Sequence, residues 1–369
     1  MKKIVLFEDV FGDFGGIEKV IITIVSNFFG KYEFELVVNS IISKEYIDDL
    51  KKYNVHVVQL QKDYIRNPIK RHLEGFKKFK QYLKDNRWID TINFNISNSI
   101  DLNYVCIAKK FKIKNRIAHS HNSSATSKFK ILMHKLIKPF TMNSPTVFLA
   151  CSDLAAKWLF SKKVYRKKKY IFLPNVVDYE QFKFNEEYRK EIRSKYHIQD
   201  DEILFGHVGR FNTQKNHNFL VNVFAKINNL NPKTKLILIG KGELKEEIIN
   251  KCKELKVDSS VIFVEPTKEV YKYYSAFDTL LFPSFFEGLS IVLVESQCAS
   301  LKCITSDSIS DQSIFTPLII KISLNDENKW VQEALKTEDN SKIDVSNYYL
   351  TSSFSIDEML SILEEIYSR

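Results

Sequence analysis

The sequence predicts an α/β chain of two units, each a parallel sheet with helices on both faces. Three observations predict it. Short apolar runs alternate with helical stretches, the alternation halts near Pro174-Asn175 and restarts beyond it, and 369 residues of 44% hydrophobic content suffice for two buried cores.

The opening KIVLF, a loop ending in Gly15-Gly16 and then IEKVIITIVSNFF read as buried strand, glycine turn and helix. Further strands are expected at 34–39 (FELVVN), 55–60 (VHVVQL), 90–95 (DTINFN), 116–121 (RIAHSH) and 147–152 (VFLACS), with helices such as 69–86 and 101–112 between them. IFLPNVVDYEQF at 171–182 reads as a turn and linker. Strands then return at 203–209, 235–240, 261–265, 279–284 and 302–307, with helices near 215–230, 243–255, 267–276 and 288–300. SIDEMLSILEEIYS is an amphipathic helix able to pack back across the first unit. The expected domains are therefore 1–173, joined by a helix at about 350–369, and 174–349.

Composition narrows the function. Five cysteines (Cys106, Cys151, Cys252, Cys298, Cys303) without a C-x-x-C, and histidines without zinc-ligand spacing, suggest neither a disulfide framework nor a structural metal, so a reduced cytoplasmic protein is expected. KKIVLF is interrupted too soon by Glu8 and Asp9 for a signal peptide, and no stretch reaches the apolar length of a membrane span. Residues 1–170 hold 32 Lys and Arg against 15 Asp and Glu, a charge of +17, whereas the remainder holds 23 against 30, or −7. Any single lysine cluster is ordinarily a solvated helix face, but an excess over half a chain points to an anionic membrane surface or nucleic acid. No nucleic-acid module and no aromatics interleaved with the basic runs are present, which favours the membrane.

Chemistry concentrates where strands end, because open parallel sheets bind ligands at their carboxyl ends. GRFNTQK places Arg210 just past the run ILFGHV and Lys215 near the next helix start, supplying a planar fork and a point charge suited to a diphosphate. EGLSIVLVE follows TLLFPS, and its two carboxylates, Glu287 in the loop and Glu295 on the helix, are acceptors for sugar and ribose hydroxyls. In HSHN, His119 and His121 fall on one side of a strand at its carboxyl end.

The ordered segments GGIEKV, HSHN, PNVVD, GRFNTQKN and FPSFFEGLSIVLVESQ resemble the family 4 retaining, nucleotide-sugar-dependent glycosyltransferases, especially those of bacterial capsule and exopolysaccharide synthesis, over nearly the whole chain. The resemblance implies two facing Rossmann-like domains, the glycosyltransferase B fold, with the donor held mainly by the second and the acceptor by the first. Arg210 and Lys215 match the diphosphate-binding pair, Glu287 the carboxylate beside the donor sugar, Glu295 the ribose ligand, and His121, ahead of His119, the histidine that contacts the donor sugar. Backbone amides of Gly288, Leu289 and Ser290 would face phosphate and sugar, and Gly15 and Gly16 match the glycine loop of the first domain. Val176, Ser300-Leu301-Lys302 and Glu265-Pro266 depart from the family pattern at the linker, after the second glutamate and near the nucleobase.

The expected reaction is retaining transfer of a hexosyl group from a nucleotide sugar, by default a uridine nucleotide, to an oligosaccharide on a polyprenyl diphosphate in capsule, exopolysaccharide or O-antigen synthesis. No cofactor is expected, and the absence of Asp-x-Asp argues against a metal-bridged diphosphate. The protein would lie peripherally at the inner face of the plasma membrane. A nucleotide-sugar epimerase, a glycogen-synthase-like polymerase and a catalytically silent partner of a transferase are the alternatives.

Overall fold

Ile4, Val5, Leu6 and Phe7 are at most 1% exposed, so both faces of their strand are covered, as in a parallel sheet between helix layers. The same holds for Leu280, Leu281 and Phe282, all 0% exposed, later in the chain. The computed structural model describes residues 1–12, 16–122, 128–287, 289–336 and 342–369, which form two compact units.

Unit 1 comprises Met1–Asn175 and Asp357–Arg369. Its strands β1 (Lys2–Phe11), β2 (Tyr32–Ile41), β3 (His56–Gln59), β4 (Thr91–Ile96), β5 (Asn115–Ser120), β6 (Val147–Ala150) and β7 (Ile171–Phe172) run parallel in the order β3-β2-β1-β4-β5-β6-β7. Unit 2, Val176–Ile356, holds β8 (Ile203–Val208), β9 (Thr234–Ile239), β10 (Val261–Val264), β11 (Thr279–Phe282), β12 (Lys302–Ser306) and β13 (Ile319–Ile322), parallel in the order β10-β9-β8-β11-β12-β13. In each sheet the first strand lies between the strands that precede and follow the reversal of winding, which opens a crevice at its carboxyl end.

The helix Ile356–Ser368 belongs to unit 1, as its amphipathic pattern predicts. Tyr367 is fully buried among Phe28, Tyr32 and Phe34, with ring centroids 5.8–6.4 Å apart, and its hydroxyl accepts a 2.9 Å bond from Asn93 Nδ2. Asn115 Nδ2 donates to the Ile366 carbonyl at 3.0 Å, and Lys31 pairs with Glu364.

Several elements differ from expectation. Two-residue β7 lies within the stretch read as linker, and β13 was not expected, because runs of two or four residues carry too little periodicity to register. The helix Lys128–Thr141 was also missed, since part of its apolar pattern faces outward. β5 ends at Ser120, so His121 leads the following loop instead of closing the strand.

Candidate active site

In unit 2 the sequence builds a compact charged site where β8 and β11 end. Leaving β8, the chain passes Gly209 and Arg210 and makes a short 3₁₀ turn at Thr213–Lys215, capped by Asn212, whose side chain accepts the Lys215 amide at 3.2 Å. A Cβ on Gly209 would meet the Lys215 stem at 3.1 Å, so glycine lets the lysine fold back over the strand end. Lys215 Nζ lies 4.5 Å from the centre of the Phe282 ring and 2.8 Å from Glu287 Oε1. Both partners are largely buried, with side-chain exposures of 14% and 10%. Arg210 is exposed at the same strand end. The Phe285 amide donates to the Gln214 carbonyl at 2.9 Å, and Gln214 Nε2 donates to the Phe286 carbonyl at 2.9 Å, which ties the loop carrying Glu287 to the turn carrying Lys215.

Glu287 precedes the helix Ile291–Cys298 and Glu295 lies on it, as the spacing suggested. Glu295 is only 2% exposed, and its Oε2 accepts a 2.7 Å bond from the Tyr274 hydroxyl. Burial and this carboxylate push the Tyr274 phenol well above its ordinary range, so it remains a donor. The Ser290 amide donates to Ser313 Oγ at 2.9 Å, so it could face a phosphate only by exchanging that bond. The buried Ser290 Oγ has no partner. Leu289 lies half-buried beside it, and Gly288 falls outside the described residues.

Two histidines that the sequence reading passed over lie under Lys215. His207, on β8, donates from Nδ1 to the Leu281 carbonyl at 2.8 Å, and His217 stacks on Phe211 with ring centroids 4.2 Å apart. Burial, the mutual His207–His217 contact and the Lys215 charge hold His207 well below the ordinary histidine range, and burial with Lys215 brings His217 down to about 3. Both are neutral near pH 7, so neither adds to the positive charge above them. Their position at a strand end and a helix start was the available signal; their stacking was not in the sequence.

Unit 1 assembles a different site. His121 donates from Nε2 to Asn95 Oδ1 at 3.0 Å, which leaves Nδ1 as a buried acceptor without a partner. Asn175 beside it has a buried Oδ1 in the same condition. His119 is fully buried, its ring centroid 4.0 Å from that of His121, and its Nε2 lies 3.4 Å from the Leu173 carbonyl. Desolvation drives both below the ordinary range, His119 to about 4. Glu8, in the second half of β1, is 7% exposed with an unpartnered Oε2, and burial followed by Glu18, Asp101 and Asp9 raises its carboxyl well above the usual range. In the sequence alone Glu8 shows only as an interruption of an apolar run. Gly16 opens the helix Gly16–Asn27, and Gly15 falls outside the described residues.

Among the described residues one group has metal-ligand geometry: Asp9, His72 and Asp101, with ligand atoms within 4.8 Å of one another. Each of the four carboxylate oxygens already accepts a hydrogen bond. Asp9 accepts from Arg71 Nε and Nη2 at 3.2 and 3.0 Å and from Asn39 Nδ2 at 2.6 Å. Asp101 accepts from His72 Nε2 at 3.0 Å and from the amides of Ser97 and Asn98 at 3.3 and 3.2 Å. A guanidinium beside the triad makes it a hydrogen-bond hub.

A family profile described as Glycosyl transferases group 1 matches residues 188–328, which contain Arg210, Lys215, Glu287 and Glu295. The chain is 31% identical over 215 residues to a putative glycosyltransferase, EpsF, of Bacillus subtilis, spanning 57% of this chain and 56% of that protein. It is 27% identical over 318 residues, 83% of this chain and 81% of the relative, to an N-acetylgalactosaminyltransferase of Campylobacter jejuni named for a diphospho-undecaprenol substrate. Among solved structures, Anabaena HepE in complex with UDP and glucose superposes over 100% of both chains with a TM-score of 0.81 at 15% identity. WaaG, a glycosyltransferase of lipopolysaccharide biosynthesis, covers 99% of this chain and 98% of its own with a TM-score of 0.70, also at 15% identity. These structures share the glycosyltransferase B fold with this chain.

Proposed function

We propose that the chain, whose residues 188–328 match the glycosyl transferases group 1 profile, transfers a hexosyl group from a nucleotide sugar to a lipid-linked oligosaccharide, with retention of anomeric configuration. The observation that carries this reading is the Lys215–Glu287 pair, held at 2.8 Å where β8 and β11 end, beside exposed Arg210. In the proposed step the bond between the sugar's anomeric carbon and the diphosphate oxygen breaks as the acceptor hydroxyl bonds to that carbon on the same face. Lys215 and Arg210 stabilise the charge that collects on the leaving diphosphate, the term that usually contributes most to such catalysis. Glu287 orients the lysine and accepts from the donor sugar, and Glu295, positioned by Tyr274, accepts from the ribose hydroxyls. The amides of Gly288, Leu289 and Ser290 complete the proposed phosphate side, and Gly15 and Gly16 the glycine loop of unit 1. His121, a neutral acceptor at Nδ1, takes a sugar hydroxyl proton in hydrogen bonding. The acceptor hydroxyl's own proton passes to a leaving phosphate oxygen.

The fixed positive charge makes a metal unnecessary in this scheme, and uracil is the proposed base. A uridine donor is supported by the UDP named in the HepE structure, and a polyprenyl-linked acceptor by the diphospho-undecaprenol in the Campylobacter relative's name. The basic charge of residues 1–170 supports a peripheral location at the cytoplasmic face of the membrane.

Calorimetric titration with UDP, GDP, ADP and CMP in EDTA, with the Arg210→Ala/Lys215→Ala variant as control, tests the donor site. Selective binding of UDP that disappears in the folded variant is the expected result. Binding of none, or equal binding to the variant, would overturn it and favour a silent partner of a transferase.

A further inference from the structure

Helix Lys128–Thr141 of unit 1 has two faces with different fates. Its inner face is fastened through His134, which is 2% exposed and stacks on Trp158 with ring centroids 3.8 Å apart and planes 5° from parallel. His134 Nδ1 accepts the Ser99 amide at 3.1 Å and Nε2 donates to the Trp158 carbonyl at 2.9 Å, while Lys138 Nζ donates to the carbonyls of Trp158 and Lys157. On the side opposite His134, Leu132, Leu136 and Phe140 follow each other at helical spacing and are 55%, 57% and 86% exposed. A continuous apolar stripe of this kind, on a helix clamped from behind, marks an interaction surface.

Charge names the occupant. Residues 102–170 carry 16 Lys and Arg and a single acidic residue, Asp153, which is engaged by Lys168 and Tyr170. Lys135 is exposed at the edge of the stripe, and the Lys138 bond to the Lys157 carbonyl brings exposed Lys157 alongside the same helix. At the far end, Lys109 Nζ reaches the Asn143 carbonyl at 2.8 Å. Apolar residues bordered by lysines match the boundary between acyl chains and anionic headgroups. Among the described residues no helix is long and apolar enough to cross a membrane, so contact would be from one side.

We propose that helix Lys128–Thr141 lies in the plane of an anionic membrane surface, with Leu132, Leu136 and Phe140 inserted at the headgroup boundary and the neighbouring lysines paired with lipid phosphates. This rests on the transferase reading in one respect: a lipid-linked acceptor gives the docking its purpose. The helix is about 21 Å long, enough for a single interfacial footprint. Docking is reversible, because electrostatic attraction and a shallow apolar insertion act together and neither alone anchors the chain.

The test is co-sedimentation of the full chain, without nucleotide, with vesicles of phosphatidylcholine alone or with phosphatidylglycerol added. The wild type should partition onto the anionic vesicles at least tenfold more than onto the neutral ones, with the excess falling as salt rises. Leu136→Glu/Phe140→Glu, both at exposed positions, should lose most of that binding, whereas Leu73→Glu, at an exposed apolar site on another helix, should keep it. Circular dichroism and UDP titration of the double variant separate the two readings: intact UDP binding with lost vesicle binding supports the membrane face. Vesicle binding equal to wild type in the double variant would overturn the proposal. So would a sedimentation-velocity result in which the stripe variant converts a dimer to a monomer, since a second copy would then cover the stripe. Failure of every form to bind UDP, with vesicle binding behaving as expected, would count against the transferase reading alone.

Discussion

The carboxyl end of β8 and that of β5 offer ligands opposite things. Unit 2 presents charge: Lys215 and Glu287 paired at 2.8 Å, with Arg210 exposed at the same strand end. Unit 1 presents neutral acceptors: His121 Nδ1 and Asn175 Oδ1, buried without partners. A buried charge is tolerable only when paired, whereas an unpartnered neutral acceptor costs less and can wait for a donor. In the proposed reaction the difference would divide two tasks, holding an anion in unit 2 and receiving hydroxyls in unit 1.

The largest expected effect comes from removing the charge. Lys215→Ala should lower turnover by about a hundredfold, roughly 3 kcal/mol of transition-state stabilisation, in a steady-state assay of released nucleoside diphosphate. Glu287→Ala should approach it, because the lysine then loses its orientation. An equal loss from His121→Ala would erase the distinction between the two strand ends. A smaller effect belongs to Tyr274→Phe, which strips the 2.7 Å donor from Glu295 Oε2. It should reduce stability by about 1–3 kcal/mol in chemical denaturation and raise the donor KM more than it lowers kcat.

Acid should act on both units. His119 and His217, held at about 4 and about 3, remain neutral in the folded chain while their unfolded counterparts take up protons below about pH 6.5. The unfolded state therefore binds more protons across that window, and stability falls as pH drops from about 6.5 towards 4, by at most about 1.4 kcal/mol per pH unit for each group. Glu8 carries the opposite sign, since its raised carboxyl disfavours folding at neutral pH and ceases to do so in acid. Melting temperatures of the wild type and Glu8→Gln between pH 4 and 8 should show the variant more stable at pH 7 and its advantage gone near pH 4.

The charged residues of unit 2 were legible because each follows a long apolar run at a strand end, where position in sequence nearly fixes position in the sheet. The seven residues between Glu287 and Glu295 sufficed to divide them between loop and helix. Glu8 was not legible, since a carboxylate inside an apolar strand looks like a solvent-facing interruption until its neighbours cover it. His207 and His217 were invisible for a related reason: ring stacking joins β8 to a helix start through space. Helix Lys128–Thr141 escaped notice because its outward leucines blur the periodicity that burial would impose. The packing of Ile356–Ser368 against unit 1 was foreseen from its apolar face.

That last helix sets a timetable. Unit 1 cannot close its core around Tyr367 until the roughly 180 residues of unit 2 have been made, and at about 5–20 residues per second the ribosome needs on the order of 10–40 s for them. During that interval Phe28, Tyr32 and Phe34 lack the cover that Tyr367 gives them. Maturation of the first half of the molecule is therefore tied to completion of the second.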